Sequence, residues 1–173
     1  MAFWLSIALA FSLAGCSKLP SYNAVPQFHL TDQTNSAFDS SKLAGHVWIA
    51  DFIYTSCPGP CPRMSSQMHQ VAKALPDVRL VSFTIDPATD TPAVLNEYSK
   101  HFEADPARWF FLTGPLPELQ RLSKNVFMLG DIDGSLEHST RFVLVDRQSR
   151  VRGYYLTEEP DAIQRLIADA KKL

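Results

Sequence analysis

Apolar runs broken by proline, glycine and aspartate divide this chain into alternating strand-like and helix-like segments. The densest run, residues 47–54, mixes aliphatic and aromatic side chains without alternation, as a strand buried on both faces does. Residues 27–30 alternate apolar with polar and predict a short edge strand. After Pro62, Met64, Met68, Val71 and Leu75 recur at helical spacing until Pro76-Asp77 stops the pattern. Residues 78–85 predict a second buried strand. Asp90 and Thr91 before Pro92 form a cap-then-proline start for a helix reaching about His101. A short strand over 109–112 and a helix over 116–126 follow. Residues 142–145 and 151–155 flank a polar turn, which predicts a hairpin, and 160–171 reads as an amphipathic helix.

Strand, helix, strand, then a hairpin and a last helix is the thioredoxin order, so the expected fold class is α/β: a thioredoxin-like domain with a central mixed β-sheet flanked by helices. Met64, Met68, Trp48 and Phe52 are expected in its core, and Tyr54 lies where it could line a site at the end of the central strand. A chain of 173 residues supplies one such domain with a substantial core. There is no glycine-rich phosphate loop and no internal repeat. The formal net charge of −2 and the absence of a Lys/Arg-rich stretch exclude the electrostatic footprint that nucleic-acid binding needs.

The N-terminus changes the picture. Residues 3–14 form an apolar run too short to span a bilayer comfortably and ending in small residues, as a secretory signal does, although no Lys or Arg precedes it. Leu13-Ala14-Gly15-Cys16 resembles a bacterial lipobox, which implies that Cys16 is acylated and becomes the first mature residue. The expected organisation is a lipoprotein signal over 1–15, a polar tether over 16–24 and the domain over 25–173. The protein is expected outside the cytoplasm, lipid-anchored on the periplasmic side of a bacterial membrane.

With Cys16 assigned to lipid, Cys57 and Cys61 are the remaining thiols. In an exported protein such a pair can be structural, redox-active or metal-binding. Cys57, Gly59 and Cys61 each precede a proline, which disfavours helical backbone angles and predicts a stiff irregular loop, with Pro62 near the first helical position. A helix starting there favours thiolate through its positive end. Soft, closed-shell Cu(I) prefers thiolate and imidazole and accepts low coordination, so Cys57, Cys61 and the distant His138 form a plausible trigonal set. Zn(II) prefers a fourth ligand, and none is evident.

Cys57-Pro58-Gly59-Pro60-Cys61-Pro62, Asp86-Pro87-Ala88-Thr89-Asp90 and His138-Ser139, in this order and among these strands, resemble the SCO/SenC family of copper chaperones. The resemblance implies a thioredoxin-like fold and copper, as Cu(I) or Cu(II), bound by Cys57, Cys61 and His138, with Asp86 and Asp90 nearby. It implies a metallochaperone role in assembling the copper centre of cytochrome c oxidase, by delivering copper to its copper-bearing subunit, by exchange with another copper chaperone, or by reducing the recipient's cysteines. Gly59-Pro60 departs from the bulkier or acidic residues often found inside the family's loop.

Two rivals use the same thiols: a thiol-disulfide oxidoreductase cycling Cys57 and Cys61, and a redox sensor acting through a partner. The three-residue spacing, one more than the usual disulfide oxidoreductase motif, and the distant His138 argue against a standard thioredoxin. Thr55-Ser56-Cys57 is one residue short of the Thr-x-x-Cys element of peroxiredoxins. Asp86 and Asp90 can equally make turns and cap the next helix. His29, His46, His69 and His101 share no motif and are read as solvated or locally bonded.

Overall fold

The structure is a computed structural model that describes residues 18–133, 136 and 139–173. Seven strands form one mixed sheet in the order β2-β1-β5-β4-β3-β6-β7. They are β1 His29–Asp32, β2 Ala37–Asp39, β3 Trp48–Ile53, β4 Arg79–Thr84, β5 Trp109–Thr113, β6 Arg141–Val145 and β7 Val151–Leu156. The helices are α1 Pro60–Ala74, α2 Pro92–His101, α3 Leu116–Arg121, which widens into a π turn over Leu122–Val126, and α4 Ala162–Ala170.

Every residue of β3 is buried, as expected of a strand covered on both faces. It pairs in parallel with β4, Trp48 opposite Arg79 through Ile53 opposite Thr84, and antiparallel with β6. The connections β3-α1-β4 and β4-α2-β5 are the helical crossovers that parallel strands require. Alternate residues of β3 face opposite ways. Ile49 and Ile53 pack with Cys61, Met64, Met68 and Val71 of α1 and with α4, while Trp48, Ala50 and Phe52 pack with Phe83, Phe127 and the α3 side. Met64 and Met68 are fully buried core, and Phe52 stacks on Phe83 with ring centroids 4.9 Å apart.

Three local expectations change. The 27–30 segment becomes β1, shifted to His29–Asp32 and inside the sheet, because the short strand β2 pairs outside it. Helix α1 begins at Pro60 instead of Pro62 and takes Cys61 into its first turn. Prolines are tolerated there because first-turn N–H groups have no intrahelical partner to lose. Part of the segment expected as a 16–24 tether lies against the start of β7: Tyr22 N donates to Val151 O at 2.9 Å and Val151 N to Asn23 O at 3.1 Å.

Candidate metal and redox centre

Strand β3 delivers the chain to the cysteine loop, and α1 carries it away. Cys57 N donates to Tyr54 O at 3.3 Å, which turns the loop, and Cys61 N, at the helix start, donates to Cys57 Sγ at 3.4 Å. Both thiols are unlinked, Cys57 with 5% of its surface exposed and Cys61 with none. Cys57 is thus the less deeply buried of the two.

Their electrostatics diverge. Burial raises the Cys57 pKa, but the backbone N–H groups of Cys61 and Gly59, with the Cys61 thiol and the Tyr54 hydroxyl, outweigh it and leave Cys57 below the ordinary thiol value. Burial pushes the Cys61 thiol well up, opposed by the Tyr54 backbone and reinforced by the neighbouring Cys57 and by Asp51. Tyr54, at the mouth, is pushed up chiefly by its contact with Cys57. The copper-free pair is thus a thiolate-prone outer sulfur backed by a protonated inner one.

Asp90 fixes the loop from below. It is fully buried in a chain segment 35 residues away, and its carboxylate accepts Thr55 Oγ1 at 2.5 Å, Thr55 N at 3.2 Å and Thr84 Oγ1 at 2.5 Å. Asp86 is half-buried and takes part through its backbone: its carbonyl accepts Asp90 N at 2.9 Å, and its N donates to Thr84 Oγ1 at 2.9 Å. Asp90 therefore clamps the residue two positions before Cys57 to the end of β4, and Asp86 shapes the turn that presents it.

Sequence reasoning missed Asp51. It lies in the middle of β3, fully buried on the α1 face, and neither carboxylate oxygen has a hydrogen-bond partner within bonding distance. Burial pushes its pKa up to about 7, offset in part by Ser82 opposite it in the β4 register. An acid interrupting an otherwise apolar six-residue strand was the available signal.

Two neighbouring thiols such as Cys57 and Cys61 are donors of the kind a soft ion prefers. Among the described residues no group of three His, Cys, Asp or Glu side chains is placed to hold a metal. His138 lies outside the described residues, as do Cys16 and the 1–15 segment. His29 pairs with Asp39 at 3.2 Å and His69 with Glu103 at 3.8 Å, both away from the cysteines.

The SCO1/SenC family model matches residues 17–173. The chain belongs to the SCO1/SenC family. A SCO1/SenC family lipoprotein from Bacillus anthracis superposes with a TM-score of 0.82 at 30% identity, covering 91% of this chain and 99% of that one. BsSco, described as a member of the Sco family of cytochrome c oxidase assembly proteins and as having a disulfide switch, superposes with a TM-score of 0.78 at 29% identity, covering 90% and 95%. Bradyrhizobium japonicum ScoI, solved with copper bound, gives 0.70 at 25% identity, covering 87% and 99%. The thioredoxin-like architecture expected from the element order is the fold of this SCO1/SenC protein.

Proposed function

We propose that this SCO1/SenC protein is an extracytoplasmic copper-handling factor in cytochrome c oxidase assembly, holding one copper ion through Cys57, Cys61 and His138. The observation that carries the reading is the pairing of Cys57 and Cys61 at the start of α1, where backbone N–H groups favour thiolate on the outer sulfur. The copper-bound ScoI relative and the oxidase-assembly role of BsSco support the choice of cargo and recipient. Copper leaves by ligand exchange: the imidazole dissociates first and opens a position for the recipient while both sulfurs still hold the ion. Cys16 carries the lipid that keeps the domain at the membrane, a reading supported by the lipoprotein relative.

A second reading, reduction of the recipient's cysteines, is favoured by the split between the two thiols. Cys57 thiolate attacks the recipient disulfide and releases one recipient thiolate. Cys61 sulfur then attacks Cys57 Sγ, its proton passes to the recipient, and the second thiolate leaves. Two electrons move from the pair to the recipient, and a Cys57–Cys61 disulfide remains.

Anaerobic copper titration tests the proposed ligand set. Cys57→Ser and Cys61→Ser should each lose tight Cu(I) binding with circular dichroism unchanged, because a hydroxyl is a hard, weak donor. His138→Ala should keep residual Cu(I) and lose Cu(II). Full occupancy in either serine variant removes the proposed site.

A further inference from the structure

The N-terminal stretch is tied down almost to the point where an anchor would attach. Arg152 donates Nε to Pro20 O at 2.6 Å and Nη2 to Leu19 O at 2.9 Å, while Nη1 pairs with buried Asp146 at 2.9 Å. Arg150 Nε donates to Ser21 Oγ at 3.1 Å, and Asn23 Nδ2 donates to Val126 O at 2.6 Å. From Cys16 to Leu19 three residue steps reach at most about 10 Å. With Cys16 in a membrane, Leu19 and the β7 edge it is bonded to stay within about that distance of the anchored residue.

That edge has the composition of a bilayer interface. Between Arg141 and Leu156 the chain carries Arg141, Arg147, Arg150 and Arg152 against the single acid Asp146, although the whole chain is net −2. Arg141 is exposed and makes no side-chain hydrogen bond among the described residues. It lines a groove of about 460 Å³ with Tyr22, Met128, Leu129 and Tyr154. Tyr22 is 44% exposed and meets Tyr154 edge-on at 5.4 Å, and Met128 is 65% exposed on backbone held at φ 54°. Tyrosines with a wet end, apolar neighbours and unpaired cations suit headgroup depth.

We propose that the β7 edge and its docked strap form a membrane-contact face, with Tyr22, Met128 and Tyr154 entering the headgroup layer of an anionic bilayer and Lys18, Arg141 and Arg150 facing lipid phosphates. The inference rests on the N-terminal anchoring proposed above. It goes beyond it in fixing which side of the domain meets the lipid.

The test uses the full processed chain in vesicles of phosphatidylcholine with phosphatidylglycerol, a fraction of the latter carrying a photoactivatable group at headgroup depth. Labels mapped by mass spectrometry should concentrate at Tyr22, Met128 and Tyr154 and spare α2. Even labelling, or labelling centred on α1 or α2, overturns the face. In Met128→Gln/Arg141→Gln, labelling at Tyr22 should fall at least about fivefold, the effect of one cation at an anionic surface. Copper uptake and the N-terminal mass should stay as in the parent. Unchanged labelling in that variant means the tether alone sets the contact, which also overturns the proposal. The N-terminal mass reports separately on the anchor. An unmodified Cys16 with residues 1–15 retained refutes lipidation while the apolar segment still tethers the same edge, whereas a mature chain with neither overturns both.

Discussion

Replacing Asp51 with Asn should flatten the pH dependence of the copper-free protein's stability. Asp51 is fully buried, its oxygens lack hydrogen-bond partners, and burial holds its pKa at about 7 against an ordinary value of 3.8. The folded state keeps the proton more tightly than the unfolded chain does. Its stabilising effect is therefore complete below the unfolded value and is lost as pH rises through about 7. A difference of about three pKa units is worth about 4 kcal/mol, of which roughly 2.5 kcal/mol falls between pH 5 and pH 8. Asparagine keeps the shape and cannot ionise. Urea denaturation of the reduced apoprotein at both pH values should show the parent losing about 2.5 kcal/mol more than Asp51→Asn. Parallel losses in the two proteins would refute the reasoning, because they would mean that Asp51 titrates as an exposed carboxyl or stays charged at no cost.

Three further outcomes follow from the site. Asp90→Ala should cost about 2–3 kcal/mol, since it strips the acceptor from both threonine hydroxyls and from Thr55 N; a denaturation loss under about 1 kcal/mol contradicts the clamp. Iodoacetamide at neutral pH should alkylate Cys57 at least about tenfold faster than Cys61 in the reduced apoprotein, read by peptide mass spectrometry, and equal rates would remove the thiolate–thiol split. Cys16→Ser should block lipid attachment and weaken membrane association unless the uncleaved signal holds the chain, leaving copper uptake intact. Cleavage elsewhere, or an unmodified Cys16 in the parent, defeats the lipoprotein assignment.

The periodic parts of the fold were legible because they bury continuous faces. β3, α1 and α2 announce themselves through a dense apolar run, four residues at helical spacing and a Thr91-Pro92 start, with Thr91 Oγ1 accepting Val94 N at 3.4 Å. β2 was not legible: three residues give no period, and its partner β1 creates it. The early start of α1 was hidden because local bias before proline argued for a loop, while proline's fitness for a first helical turn argued the other way and won. Asp90 read as a helix cap or as a site residue with equal force, since its actual partner, Thr55, is distant in sequence and only the parallel register of β3 and β4 brings them together. The strap along β7 was masked for the same reason: its polar composition suits a tether, and the arginines that hold it lie more than a hundred residues downstream.

X-ray absorption spectroscopy of the copper-loaded, reduced protein bears most directly on the proposed centre. Sulfur scattering from both Cys57 and Cys61 is predicted, with an imidazole contribution that disappears in His138→Ala. A copper shell of nitrogen and oxygen alone, or an imidazole signal that survives His138→Ala unchanged, would contradict the account.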